Sequence, residues 1–314
     1  MYVHIKDRLM TGRPVLVAGS WGSELAARGV PLDARLWTAP ANLSHAGEVR
    51  ATARAYIEAG AHAVLTNTFS TGPLLMHALG RVAEMRRLDE RAIGLLREAI
   101  DDGGAEVALA GSVSVYGAVP DDDGMGAELG TAEMQALFAE KVATFRDHGC
   151  DFIYLERVRG IRRGVIATEA AVATGLPVWV ELAVERDADG TIRSAGGCRW
   201  RLEDLVSTLM SSGAAACLVS HADPLVIADA LQILRMAWAG YQGVSLLNGH
   251  CVLPRAGEAD VAPHWADATL TPRDYVIEAD RWRRQRVQIL AFTAGLGPDH
   301  LRAAAEALAP PART

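Results

Sequence analysis

The sequence predicts an α/β protein of 314 residues folded as one (βα)8 TIM barrel, and three observations support this fold class. Eight short apolar runs alternate with eight amphipathic helical patterns. The runs are continuously apolar, as in parallel strands that are covered on both faces. The length and a hydrophobic content of 50% suit a single barrel with insertions. The predicted strands are 15–18, 63–66, 107–110, 152–156, 178–182, 215–220, 244–247 and 287–292, and the predicted helices are 43–59, 86–100, 131–148, 162–174, 202–212, 223–239, 272–285 and 298–308.

The whole chain, 1–314, is predicted to be one domain, because no shift in composition marks a boundary. Segment 251–271 is rich in Pro, His and Trp and is predicted to be a loop insertion after the seventh strand. It is expected to act either as a lid or as a subunit contact, which leaves a homodimer open. Residues 309–314 are expected to form a disordered tail.

Charge and hydropathy exclude several partner classes. A net charge of −7 and a pI near 5.7 argue against nucleic acid or an anionic membrane as a partner. No run of about 18 apolar residues suggests a membrane span. The charged N-terminus lacks the apolar core of a signal peptide. We therefore expect a cytoplasmic protein that acts on a small molecule.

Four of the apolar runs end at polar residues. They read Phe-Ile-Tyr-Leu-Glu156, Val-Trp-Val-Glu181, Cys-Leu-Val-Ser-His221 and Ser-Leu-Leu-Asn248. Catalytic groups of βα barrels lie where the strands end. Two neighbouring carboxylates raise one pKa and form an acid–base pair, and a histidine titrates near neutral pH. Glu156, Glu181 and His221 are therefore the predicted catalytic residues.

The sequence also allows a purely structural role for each of the two glutamates. A strand-end glutamate that is buried needs a partner. Arg157 or Arg159 would pair with Glu156, and Arg186 would pair with Glu181.

A metal site is the third interpretation of His221, beside a general base and a polar residue without a role. His250 and Cys251 would complete a site with the two glutamates, or Cys198 and Cys251 would form a zinc site with His221. The spacings match no known metal motif, and no cofactor is predicted.

Several motifs carry a family resemblance. The first strand ends Ala18-Gly19-Ser20-Trp21-Gly22-Ser23, the second ends Leu65-Thr66-Asn67-Thr68-Phe69, and the third reads Ala110-Gly111-Ser112-Val113-Ser114-Val115-Tyr116. With Leu36-Trp37 and Gly60-Ala61 between them, these motifs resemble the homocysteine S-methyltransferase family, from about residue 14 to 308. That family includes S-methylmethionine- and betaine-dependent enzymes.

The resemblance implies a barrel that transfers a methyl group from a sulfonium or quaternary ammonium donor to homocysteine. A zinc ion held by three cysteines keeps the homocysteine sulfur as a thiolate, because a thiol with a pKa near 8.5 is a poor nucleophile. Glu156 matches the glutamate that contacts the substrate's ammonium group, and Asn248 matches a family asparagine. The family's methyl donor is surrounded by aromatic side chains.

The zinc ligands are missing from the matching positions. His221 stands at the first cysteine position, and Thr293 and Ala294 stand at the vicinal pair. Ala18 replaces the family's opening aspartate. The resemblance therefore predicts that the zinc is absent and that the family mechanism is altered.

Together these observations predict a divergent family member, an enzyme that acts on a small amino-acid-like or sulfonium substrate without the family's three-cysteine zinc centre. A catalytically inactive homologue that binds a metabolite or a partner is the alternative. The predicted substrate-binding residues are the strand-end residues Gly19, Ser20, Trp21, Asn67, Thr68, Ser112, Tyr116 and Asn248.

Overall fold

Eight parallel strands form the centre of the fold. The computed structural model describes residues 1–116, 129–196, 200–252, 264–266 and 269–309. The barrel strands are β1 (Val15–Ala18), β2 (Ala63–Leu65), β3 (Ala108–Ser114), β4 (Phe152–Val158), β5 (Val178–Arg186), β7 (Ala216–His221), β8 (Tyr241–Leu246) and β11 (Ile289–Phe292), and the shorter strands are β6 (Ile192–Ser194), β9 (His250–Val252) and β10 (His264–Ala266).

The sheet closes on itself. Strand β1 pairs with β2 on one side and with β11 on the other, and β4 pairs with β5. All neighbours around the ring are parallel. The (βα)8 barrel predicted from the sequence is confirmed.

Helices cover the strands on the outside of the barrel, apart from α1, which precedes β1 and packs into the inner core. They are α1 (Tyr2–Met10), α2 (Trp21–Ala27), α3 (Ala41–Ser44), α4 (Ala46–Glu58), α5 (Pro73–Ala78), α6 (Val82–Gly103), α7 (Thr131–Asp147), α8 (Ile161–Val172), α9 (Leu202–Ser211), α10 (Pro224–Ala237), α11 (Pro272–Arg284) and α12 (Pro298–Ala307). The start of α11 is a capping box, in which Thr271 and Asp274 satisfy each other's backbone N–H groups. The eight predicted helices are confirmed within a few residues at most ends. No helix in the described ranges is long and apolar enough to cross a membrane.

The N-terminal helix α1 was not predicted, and it closes one end of the barrel. Its Ile5 and Leu9 pack into the inner core of the barrel. The Tyr2 hydroxyl accepts a 3.0 Å hydrogen bond from the Trp179 indole, and its ring lies against Phe152. These contacts are at the N-terminal ends of the strands, so the opposite end is left to carry the site.

Two short antiparallel elements also differ from the prediction. Strand β6 pairs with the end of β5, and β9 pairs with β10 as a hairpin inside the predicted insertion 251–271. The tail 310–314 and most of the insertion lie outside the described residues.

Candidate active site

The inner face of the barrel changes from apolar to polar towards the C-terminal ends of the strands. Inward positions alternate along each strand. On β4 the inner core residues Phe152 and Tyr154 are followed by Glu156, and on β5 Trp179 is followed by Glu181. By the same alternation Ser220, Ser245 and Thr293 follow the inner residues of β7, β8 and β11. We call these five strand-end residues, Glu156, Glu181, Ser220, Ser245 and Thr293, the polar layer.

Glu156 holds a proton unusually tightly. Burial raises its pKa to about 8, and the nearby Glu181 carboxylate contributes to this rise. The Ser112 hydroxyl donates a hydrogen bond to Glu156 Oε1, which lowers the pKa of Glu156. The positive charge of Arg157 also lowers this pKa. Since the resulting pKa lies above 7, Glu156 is mostly protonated at neutral pH.

Glu181 is the more deeply buried carboxyl group, with 1% of its surface exposed. Burial raises its pKa, while the Arg157 guanidinium and the hydroxyls of Tyr154, Ser220 and Ser245 favour its charged form. The Tyr154 hydroxyl donates a 2.9 Å hydrogen bond to Glu181 Oε2. Arg186 pairs instead with Asp229, so the predicted alternative of an Arg186–Glu181 salt bridge is wrong.

Arg157 lies close to both glutamates, and the sequence suggested it only as an ion-pair partner of Glu156. Strand β4 contains a bulge: Leu155 pairs with Val180 and Val158 with Leu182, so three steps on β4 match two on β5. Arg157 sits in this bulge with a left-handed φ of 55°, and its side chain is half-buried. Arg157 affects the pKa values of Glu156, Glu181 and His221, which identifies it as the charge shared by the predicted catalytic residues.

His221 ends β7 and is half-buried. Its Nδ1 accepts a 2.8 Å hydrogen bond from the Asp223 backbone N–H. Burial lowers the pKa of the imidazole, so the ring is neutral near pH 7. Because Nδ1 accepts, the ring proton is on Nε2, and His221 offers a donor in this tautomer.

A cavity of about 320 Å³ lies beside His221, at the ends of β7 and β8. It does not include the two glutamates. Its lining residues are Ala222, Leu246, Leu247, Asn248, Gly249, His250, Thr269 and Leu270.

The predicted substrate-binding residues of the first strand are engaged within the fold. A side chain at Gly19 would meet Leu65 Cδ1 at 2.6 Å. The Ser20 hydroxyl accepts a 2.7 Å hydrogen bond from the Gly295 backbone N–H. The Trp21 indole donates to the Leu65 carbonyl at 3.1 Å and is 5% exposed. In the described structure, these three residues join β1 to its neighbours.

Asn67 and Thr68 are also held by protein partners. The Asn67 amide donates to the Thr38 carbonyl at 3.0 Å and to Asn42 Oδ1 at 2.9 Å. The Thr68 hydroxyl donates to the Ser112 carbonyl at 2.8 Å. Both side chains are buried.

Asn248 connects the segment after β8 to two other loops. Its amide donates to the carbonyls of Leu270 and Gly295, at 3.1 and 3.2 Å, and its oxygen accepts from the Leu270 N–H at 2.9 Å. These bonds use most of the side chain's capacity. They give Asn248 a structural role at the barrel mouth.

Three aromatic side chains meet beyond the ends of β2 and β3, and we call them the aromatic cluster. Trp37 and Phe69 stack with ring centroids 5.3 Å apart, and Tyr116 lies 6.4 Å from Trp37. Tyr116 is 42% exposed, and the other two are half-buried. The faces of aromatic rings attract cations. Of these three residues, only Tyr116 is among the predicted substrate-binding residues.

The residues at the expected zinc positions do not fit a zinc ion. Ala294 has no donor atom, and the Thr293 hydroxyl shares a 2.7 Å hydrogen bond with Ser245. No group of three or more His, Cys, Asp or Glu suited to a metal occurs in the ranges that the structure describes. Cys198 and the Cys251 side chain lie outside those ranges, so the alternative sites that include them stay predictions.

Comparison with known proteins agrees with the fold and the strand-end motifs. A family model for homocysteine S-methyltransferase matches residues 15–308. The chain therefore belongs to the homocysteine S-methyltransferase family.

Its relatives include betaine–homocysteine S-methyltransferase 1 from Bos taurus, which is 26% identical over 98% of this chain and 75% of its own length. S-methylmethionine–homocysteine S-methyltransferase BHMT2 from Pongo abelii is 25% identical over 98% of this chain and 81% of its own length. Among solved structures, the metallated form of the homocysteine methyltransferase MmuM from Escherichia coli has a TM-score of 0.75. It is 19% identical and covers 96% of this chain and 98% of its own, which supports the barrel fold.

Proposed function

We propose that this chain is a methyltransferase of its family that uses a sulfonium or related cationic amino-acid-like donor and works without a three-cysteine zinc centre. The observation that carries the proposal is the polar layer itself. It retains Glu156 and adds a buried second carboxylate, Glu181, while the expected ligand positions hold Thr293 and Ala294.

The aromatic cluster and Glu156 support a cationic substrate. A cluster of three aromatic rings, one of which belongs to the exposed Tyr116, favours a sulfonium or methylated ammonium group. Glu156 is mostly protonated in the free protein, and a substrate ammonium group beside it would favour its ionised form. Binding a cation would then release a proton from Glu156.

Glu181 supports acid–base chemistry in place of the metal. In the proposed step the acceptor thiol loses its proton to the Glu181 carboxylate, and the sulfur lone pair forms the new bond to the methyl carbon. The bond between carbon and the donor sulfonium breaks, its electron pair stays on the donor sulfur, and a neutral thioether leaves. A carboxylate with a raised pKa is a suitable base for a thiol.

His221 contributes a hydrogen-bond donor in this proposal. Its Nδ1 already accepts from Asp223, so Nε2–H is the group that it presents. Glu181, rather than His221, is therefore assigned the role of base.

Glu181→Gln is expected to reduce kcat/KM by about 10²- to 10⁴-fold, because the amide cannot take the thiol proton. The assay supplies S-methyl-L-methionine and L-homocysteine and measures methionine formation. Glu169→Gln, the same change on the exposed face of α8, is the control and is expected to keep wild-type turnover.

Unchanged turnover in Glu181→Gln would remove Glu181 from the mechanism. Tight binding of the donor without turnover in the wild type would favour the inactive metabolite-binding homologue instead.

A further inference from the structure

We infer that Arg157 determines the substrate class of this site, by binding the carboxylate of an α-amino acid whose ammonium group is held by Glu156. The inference rests on the proposed function and narrows its substrates from amino-acid-like cations to α-amino acids with a free carboxylate. It would make Arg157 a specificity-determining residue.

The bulge in β4 makes this arrangement possible. In a regular strand, consecutive side chains point to opposite faces, and Arg157 would face the helices. The extra residue between Leu155 and Val158 and the left-handed φ of 55° interrupt that alternation. Glu156 and Arg157 are consequently both half-buried, whereas Val158 is fully buried.

A non-glycine residue with positive φ is held there by its surroundings and is often found at functional sites. The backbone strain at Arg157 is consistent with a role in binding.

The guanidinium of Arg157 has spare hydrogen-bonding capacity. It carries five N–H donors in a planar fork that matches a carboxylate. Within the described ranges, no hydrogen bond and no ion pair within 4.0 Å involves Arg157. By contrast, other arginines form ion pairs at the surface, as Arg186 does with Asp229.

Neutralisation of Glu181 is the competing explanation for Arg157. The guanidinium does favour the charged form of that carboxylate. However, Glu181 takes its hydrogen bond from Tyr154, and Arg157 does not reach it as an ion pair. Because Arg157 forms no ion pair with Glu181, the N–H groups of its guanidinium remain available to a ligand.

The chemistry of neighbouring residues 156 and 157 matches one substrate class. An α-amino acid has its ammonium and carboxylate groups on the same carbon atom. Once a substrate ammonium group favours the ionised form of Glu156, Glu156 and Arg157 present opposite charges from adjacent Cα atoms, about 3.8 Å apart. Ser220, which is 1% exposed, adds a second polar group in the same layer. Its hydroxyl is close enough to Glu181 to favour the charged carboxylate, but it makes no well-formed hydrogen bond within the described residues.

The test measures binding of L-methionine and L-methioninamide by calorimetry. The two probes differ in the carboxylate, and at pH 6 the ammonium groups of both are charged. The wild type is expected to bind the acid about 10- to 100-fold more tightly than the amide, since a charge-assisted bidentate pair is lost in the amide. Arg157→Gln should weaken acid binding by the same factor and leave amide binding unchanged.

Two further variants separate binding from folding. Arg157→Lys keeps the charge but loses the fork, and it should recover only part of the preference. Arg186→Gln removes a surface arginine and should retain the full preference. Melting temperatures of all variants would identify any loss of folding.

Equal binding of acid and amide by the wild type, or a preserved preference in Arg157→Gln, would overturn the role of Arg157 alone. Failure of the wild type to bind either probe would contradict the proposed function and, with it, this inference.

Discussion

Lys141→Met is expected to lower the free energy of unfolding by about 3–5 kcal/mol, because it leaves a buried carboxylate without its cation. Lys141 Nζ lies 2.7 Å from Asp89 Oδ1, and both side chains are fully buried. Lys141 also donates to the Thr71 hydroxyl at 2.7 Å and to the Thr71 carbonyl at 3.1 Å. Denaturant unfolding at pH 7 measures the change.

The chain contains a matched control for this change. Lys6, on α1, is the only other lysine, and it is exposed. Lys6→Met should change stability by less than about 0.5 kcal/mol. Equal stability of the two variants would show that the buried pair is not needed for stability.

The same pair supports the aromatic cluster. Thr71 ends the short turn Phe69–Thr71, so Lys141 and Asp89 fix the segment that carries Phe69. Loss of the pair should therefore also weaken cation binding at the cluster.

Wild-type stability is expected to fall as pH rises from about 5 to 8, and Glu156→Gln should remove much of this fall. The folded pKa of Glu156, about 8, is above the ordinary value of 4.5, so the folded state binds the proton more tightly than the unfolded state. This stabilisation is fully present below pH 4.5 and is lost as pH rises through 8. Since one pKa unit corresponds to about 1.4 kcal/mol, the raised pKa of Glu156 contributes a few kcal/mol to the free energy of unfolding at low pH.

Denaturant unfolding of both proteins at several pH values tests this prediction. Glu181 has a pKa shifted in the same direction, so some slope should remain in Glu156→Gln. Glu169→Gln again serves as the exposed control. If Glu156→Gln kept the full wild-type dependence of stability on pH, Glu156 would have an ordinary pKa in the folded protein.

The sequence predicted the barrel because the burial of its strands is visible in the residues themselves. Runs such as Val15–Ala18 are buried at every position. Strand β3 extends to Ser114, beyond the predicted end at 110, because its later inward residues are serines. Helix α1 was missed because its fully buried face consists of only Ile5 and Leu9 in a charged segment.

The site was predicted less completely than the fold. Strand-end position selected Glu156 and Glu181 as candidates, and the structure places them close enough for Glu181 to raise the pKa of Glu156 further. Strand-end position was not enough to select Arg157, since a bulge has no signature in this sequence and alternation assigns residue 157 to the outer face. Strand-end position also selected Asn67 and Asn248, whose amides are used to hold loops.

In the proposed function, this family member binds its substrate through side chains of the barrel mouth and needs no zinc. The most direct test measures binding of S-methyl-L-methionine to protein purified without a histidine tag, before and after dialysis against a chelator, together with its zinc content. We expect zinc far below one ion per chain and the same affinity in both samples. Stoichiometric zinc whose removal abolishes binding would contradict it.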